Sequence, residues 1–348
     1  MPPYPSISVL IANYNHGRYL GDALERLFAQ SVAPSQVIVV DDASTDAIVA
    51  LVRASMAQWP QVRLLINSKN LGMIPAARRG LGCATGDYLF WPGADDYSLP
   101  GLLEETLSIA TKHPGAGLVF WDASTVDERT GHINDNPVFL SSSPVYFSPA
   151  DFCELLRRGR LPCLGGANAV YRRAAYDNVG GLFEESAFFV DGFASISVAL
   201  RYGACYLPRT LTRARILPTS YMLSGRKRDP ITPVTAALER WNSTEFSDIR
   251  PLIRRSGFAG WLMGNFGVKL FLRLISDADL RFFITPLAIK RMLWYWGKNG
   301  VASHTPHVIK PFYQQLRNRY RSARTHRTSE GRVPCAEPRA ESTGTSDN

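Results

Sequence analysis

"ISVLIANYNHGRYLGDALERLFA", residues Ile7–Ala29, changes its hydrophobic period part-way along. Ile7-Ser8-Val9-Leu10-Ile11 is a short, nearly continuous apolar run of strand length. From Tyr19 to Ala29 the residues Leu20, Ala23, Leu24 and Leu27 recur at the spacing of one helix face. The polar triplet Asn13-Tyr14-Asn15 lies between the two. The same unit then repeats. Val37-Ile38-Val39-Val40 is a second strand ending in Asp41-Asp42, and a helix follows through Ile48, Leu51 and Val52. Val62 to Ile66 is a third strand ending in Asn67 to Asn70, followed by a helix from Ile74 to Ala84. Tyr88 to Trp91 is a fourth strand, and Asp95-Asp96 follows it. Near-continuous apolar strands alternating with helices predict an α/β fold, a mostly parallel sheet flanked by helices on both faces. In such a sheet ligands bind beyond the carboxyl ends of the strands, where all four polar clusters fall.

The 348 residues suffice for a large core, and the apolar fraction of 45% and charged fraction of 20% are ordinary for a globular chain. The net charge of +9 is uneven. Between Pro251 and Arg332, 15 Lys and Arg stand against 3 acids, so the surplus of that region exceeds the whole chain's. Met1-Pro2-Pro3-Tyr4-Pro5 leads into the first strand without a secretory pattern, and the five cysteines lack metal-ligand spacing. Reduced thiols and a cytoplasmic location are expected.

Four segments in this order resemble the family 2 glycosyltransferases of the GT-A (Rossmann-like) fold: "SVLIANYNHGRYL", "VIVVDDASTD", "NLGMIPAARRGLGCATGDYLFWPGADD" and "VGGLFEESAFFVDGFASISVALRYG". The resemblance covers about Ser6 to Ile216 and implies inverting transfer of a sugar from a nucleotide-diphosphate donor, with UDP-sugars favoured, to a hydroxyl. It implies a divalent cation, Mg²⁺ or Mn²⁺, on the leaving diphosphate. The family's Asp-x-Asp falls on Gly93-Ala94-Asp95, which leaves Asp95 as the metal ligand, or alternatively a solvated turn acid. Gly93 makes the site one carboxylate poorer, and an acid restored there is expected to tighten metal binding. A second departure is Leu217 in Arg215-Ile216-Leu217, where many relatives place a histidine.

The nucleotide pocket implied by the resemblance comprises Ala12, Asn13, Tyr14, Asp41 and Asp42, with Asp95 and Arg78 on the donor side. Each has a plainer reading. Tyr14 could be a half-buried aromatic, Asp42 a helix cap, and Arg78 with Arg79 a solvated helix face. Arg78, Arg79 and Arg215 are candidates for neutralising diphosphate. Asp191, before a helix from Phe193 to Tyr202, is the expected general base, and capping that helix is its plainer role.

The chain is therefore read as a catalytic domain over 1–216, a basic, aromatic helical region over 217–323 and a disordered tail over 324–348. "FAGWLMGNFGVKLFLRLI" and "LRFFITPLAIKRMLWYWGK" are interrupted by charges, which argues against a membrane span. They fit either helices lying on the inner face of the membrane or a packed subdomain with a basic face. No nucleic-acid-binding module is visible. The expected acceptor is a glycan or lipid-linked precursor of a surface polysaccharide. The rival reading is a degenerate module that binds nucleotide sugar or glycan without turnover.

Overall fold

The computed structural model describes residues 4–160, 164–217 and 229–299. Its main sheet begins with β1 (Ile7–Asn13), β2 (Gln36–Asp41), β3 (Val62–Ile66) and β4 (Tyr88–Phe90). These are parallel: β1 pairs on one side with β2, placing Asn13 beside Asp41, and on the other with β4, placing Val9 beside Phe90. β4 thus stops four residues short of the end of β1 in register, and the Trp91–Asp96 segment leaves the sheet there. The helices between them are α1 (Gly17–Phe28), α2 (Ile48–Gln58) and α3 (Met73–Leu81).

Alternation along the strands splits the core. Ile7, Val9, Ile11, Val37 and Val39 face Leu20 and Leu24 of α1 and Val52 of α2. Leu10, Ile38 and Val40 face Ile74, Ala76 and Ala77 of α3. Trp91, Leu182 and Val190 close that second layer, so the chain around residue 190 packs beneath the ends of β1 and β2.

Beyond β4 the pattern departs from the parallel repeat. β5 (Tyr97–Ser98) is followed by α4 (Leu102–Lys112), then by β6 (Leu118–Trp121), β7 (Ala123–Asp127), β8 (Ile133–Asn136) and β9 (Val145–Phe147). After α5 (Pro149–Arg157) comes β10 (Ala169–Arg172), and after α6 (Arg173–Asp177) and α7 (Val190–Tyr202) come β11 (Ala204–Leu207) and β12 (Thr212–Ile216). The main sheet has the order β3-β2-β1-β4-β10-β6-β11-β9, with β10 antiparallel to both neighbours. A second sheet, β5-β12-β7-β8, lies apart from it.

The later helices are α8 (Thr232–Asn242), α9 (Arg250–Ser256), α10 (Phe258–Ser276) and α11 (Pro286–Asn299). One compact unit runs to Met292, and the described residues after it are the last turns of α11. α8 lies against the 3₁₀ stretch Glu184–Phe189 and supports α7: Trp241 stacks on Phe193 at 5.3 Å and donates its indole N–H to Ser197 Oγ at 2.7 Å. α10 has the length and mean hydropathy (1.2) of a spanning helix, yet 44% of that stretch is buried in the protein and its backbone breaks at Gly267, φ 80°.

Candidate functional site

The turns after β1 and β2 are knitted together. Asn13 Nδ2 donates to Ser44 Oγ (3.1 Å) and to Asp41 Oδ1 (3.4 Å). The amide of Asn15 donates to Ser44 Oγ (2.9 Å), and Asn15 Oδ1 accepts from the Thr45 amide (2.8 Å). Asn15 and Ala43 take positive φ, 57° and 61°, to allow this. Ala12 packs at the edge of the α3-side core, and Tyr14 stands 45% exposed above it. Asn13 is 2% exposed, and its Oδ1 has no partner among the described residues.

Asp42 is differently employed. Its carboxylate accepts from Asn67 Nδ2 (2.7 Å), from the amide of Leu71 (2.9 and 3.1 Å) and from the amide of Gly72 (2.8 Å). It therefore fixes the turn from β3 into α3 rather than capping α2, whose first turn it does not reach. Arg78 donates to the Leu182 carbonyl (3.3 Å) and pairs with Glu184 (3.1 Å), both side chains being more than half exposed. Arg79 binds the Ile66 carbonyl (2.7 Å) and Asn67 Oδ1, closing the end of β3.

The two acids after β4 divide their work. Asp96 turns back, accepting from the Gly93 amide (2.8 Å) and from the amide of Arg215. Burial first, then the charge of Asp95, pushes its carboxyl up to about 7 against those two hydrogen bonds. Asp95 accepts no side-chain hydrogen bond among the described residues, and its Oδ1 lies 3.9 Å from Nδ1 of His16. A Cβ at Gly93 would stand 2.7 Å from Asp95 Oδ1 and 2.9 Å from Asp96 Oδ2, so the curled pair fits only over glycine. The space that a first acid would use is occupied, and an acid restored there would displace both carboxylates. The tightening expected of such a change therefore requires both carboxylates to move first.

Arg215 anchors this loop. Its Nε donates to the Asp95 carbonyl (2.8 Å), its Nη1 meets Glu128 (2.6 Å), and its plane lies 3.9 Å from the Tyr97 ring centre and 4.6 Å from that of Tyr19. Its charge is balanced by protein carboxylates. Leu217, where relatives place histidine, is buried.

Asp191 lies inside the first turn of α7, not before it, because the helix begins at Val190. Its Oδ2 accepts from the Gly166 amide at 3.1 Å. Its Oδ1 is shielded from solvent and has no hydrogen-bond partner among the described residues. Burial raises its pKa, opposed by the Gly166 hydrogen bond. Gly166 also touches the loop after β4, since a Cβ there would collide with the Trp91 carbonyl oxygen. Through this glycine, and through Val190 packed in the same core cluster as Trp91, the fold carries Asp191 to the segment bearing Asp95.

The family profile "Glycosyl transferase family 2" matches residues 8–180, which carry the turns after β1, β2 and β4 and Gly166, but not Asp191 or Arg215. Residues 8–180 are a glycosyl transferase family 2 domain. A Mycobacterium tuberculosis protein, MT1568, is 27% identical over 266 residues, 69% of this chain and 82% of its own length. Glycosyltransferase GlyG of Streptococcus pneumoniae is 29% identical over 147 residues, 42% of this chain and 45% of its own. Other curated relatives are matched over less than half their length, 45%, 34% and 30%. The crystal structure of S. aureus TarS 1-349 in complex with UDP-GlcNAc shares the fold, with a TM-score of 0.59 over 84% of this chain and 80% of that one, at 15% identity. The family 2 domain is thus a GT-A fold.

Ala12, Asn13 and Asp41 converge at adjacent strand ends, Asp95 meets the start of α1, and Asp191 joins through Gly166. Arg78 is tied to Leu182 and Glu184 and, among the described residues, bonds none of Asp41, Asp42, Asp95 and Asp191. Two residues were missed. His16 carried only the weak signal of a histidine between a strand end and a helix, and Gly166 none, because its task depends on Trp91 and Asp191 far away in sequence. Among the described residues no three His, Cys, Asp or Glu side chains form a metal cage. A cation at Asp95 would therefore need phosphate oxygens and water to complete its shell, as hard cations commonly accept.

Proposed function

We propose that the protein transfers a sugar from a nucleoside-diphosphate donor to a hydroxyl of a glycan or lipid-linked acceptor, with inversion. The observation that carries this is Asp191: a carboxylate fixed at one oxygen, unpaired at the other, beside the loop bearing Asp95. The acceptor oxygen attacks the anomeric carbon, its proton passes to Asp191 Oδ1, and the bond to diphosphate breaks with its electron pair on the leaving group. The Asn13–Asp41 turn would receive the nucleoside. The UDP-GlcNAc and UDP complexes of TarS favour a uridine nucleotide. Asp95 fits a divalent cation, since its carboxylate is partly exposed and accepts no hydrogen bond among the described residues. When bound, the cation would neutralise charge on the diphosphate.

The test is transfer from UDP-sugars to polyprenyl-phosphate-linked and free glycan acceptors, with Asp191→Asn beside the wild type. Transfer by both at equal rates would sink the assignment of the base. Donor binding without transfer by either would favour the non-catalytic reading that Gly93 suggests.

We also assign the second half of α10 to the inner membrane surface, as part of surface-polysaccharide synthesis in the cytoplasm. Leu272 (51% exposed) and Ile275 (43% exposed), three residues apart, share an outward face beside the exposed Lys269. Binding to anionic vesicles that weakens with salt and with Leu272→Ser and Ile275→Ser is the expected outcome, and vesicle binding indifferent to both would refute it.

A further inference from the structure

We propose that His16 supplies, with Asp95, the second protein ligand of the cation site, doing through an imidazole what the missing acid at position 93 would do through a carboxylate. The inference rests on the diphosphate site proposed above and goes further in naming a residue and a metal preference.

Three observations carry it. The first is that the two acids of the loop are not equivalent. Asp96 accepts from two amides, whereas the Asp95 carboxylate, 18% exposed, accepts no hydrogen bond among the described residues. The second is the setting of His16. It stands at the N-cap of α1 without making a side-chain cap hydrogen bond, and its ring nitrogens make no hydrogen bond among the described residues. At 3.9 Å from Asp95 Oδ1, Nδ1 is beyond hydrogen-bond range. Two donors each about 2.1 Å from one octahedral ion are about 3.0 Å apart when adjacent and about 4.2 Å apart when opposite. The observed 3.9 Å matches neither, so the pair must close by about 0.9 Å to take adjacent positions on an ion. The third is rigidity. The buried Tyr19 ring meets the His16 ring edge-on at 6.0 Å and carries the Arg215 guanidinium on its face, while Arg215 holds the Asp95 carbonyl. One aromatic ring therefore touches His16 and, through Arg215, reaches the backbone of Asp95.

An imidazole has a chemical consequence that a carboxylate lacks. Mg²⁺ prefers oxygen donors, whereas affinity for a nitrogen ligand rises along the first transition row. With His16 in the shell the site should favour Mn²⁺, and more strongly Co²⁺, over Mg²⁺. With oxygen alone that preference should fade.

The experiment measures Mn²⁺ binding to the full chain by electron paramagnetic resonance, with Mn²⁺ alone and with Mn²⁺ plus UDP, for wild type, His16→Ala, His16→Gln and Asp95→Ala. Echo-modulation spectra report nitrogen directly bound to the metal. In wild type, nitrogen modulation is expected. In His16→Ala it should vanish, and Mn²⁺ affinity should fall at least about tenfold, the scale on which even outer partners of a metal site act. His16→Gln should keep some affinity without the nitrogen signal, and Asp95→Ala should lose both. His16 is partly exposed and caps nothing with its side chain, so unchanged melting temperatures serve as the folding control. Mn²⁺ bound equally by wild type and His16→Ala, or bound by neither, overturns the proposal. Absence of any UDP effect while Mn²⁺ alone still gives the His16-dependent nitrogen signal overturns the donor reading instead and leaves the ligand assignment standing.

Discussion

Asp42 follows β2 and Asp191 enters α7, and the regions around these two acids are built on opposite plans. The turns after β2 and β3 consume each other's polarity: Asp42 takes four hydrogen bonds from the turn after β3, and Arg79 and Asn67 satisfy each other and the end of β3. The entry to α7 leaves polarity unspent, for Asp191 takes one hydrogen bond and keeps the other oxygen enclosed and unpaired. Enclosing an unpaired polar atom costs stability, so a fold retains one where something else supplies the partner. The first region is wall and the second is working surface.

The largest expected difference lies in rate. Asp191→Asn should lower sugar transfer by roughly 10²- to 10⁴-fold, about 3–5 kcal/mol of barrier. It should not lower the melting temperature. Because the folded-state pKa of Asp191 is raised, its favourable share of stability is present below its unfolded value and is lost as pH rises through the folded one. Above its folded pKa the ionised side chain therefore costs stability, and there the asparagine variant should melt at the same temperature or higher, with the gap closing on acidification. Transfer itself needs the ionised form, so the wild-type rate should fall on the acid side at a pH above the ordinary carboxylate value of about 4. A variant that melts well below wild type at neutral pH would put Asp191 among the wall residues.

Asp42→Ala reverses the pattern. It strands the amides of Leu71 and Gly72, and a loss of about 2–4 kcal/mol in chemical denaturation is expected. The smallest effect belongs to Arg78→Ala, which breaks an exposed pair with Glu184 worth about 0–1 kcal/mol. Calorimetry with UDP completes the set: a large affinity loss in Arg78→Ala without unfolding would move that residue from the surface into the donor site.

Much of the first half is legible locally. β1 to β4 follow from apolar runs whose periods need no knowledge of distant residues, and β3 spans Val62–Ile66 as read. The start of α7 is less so. Phe189 and Val190 are drawn into the core by Trp241 and Trp91, and the helix starts early enough to take in Asp191. The second sheet is not legible at all: β5 is two residues long and exists through pairing with β12, more than a hundred residues on. The same holds for the division between Asp95 and Asp96, which are adjacent and chemically identical in sequence. What distinguishes them is the Arg215 amide, delivered by that distant strand.

The glycine at 93 makes the order of substitutions matter. An aspartate introduced there meets the carboxylate of Asp96, which two amides hold in place. A lineage carrying this loop could recover a second acid only after residue 96 had changed. Gly93→Asp should cost less stability after Asp96→Ala than alone, so the second change is conditional on the first and the route to a two-carboxylate site runs in one direction.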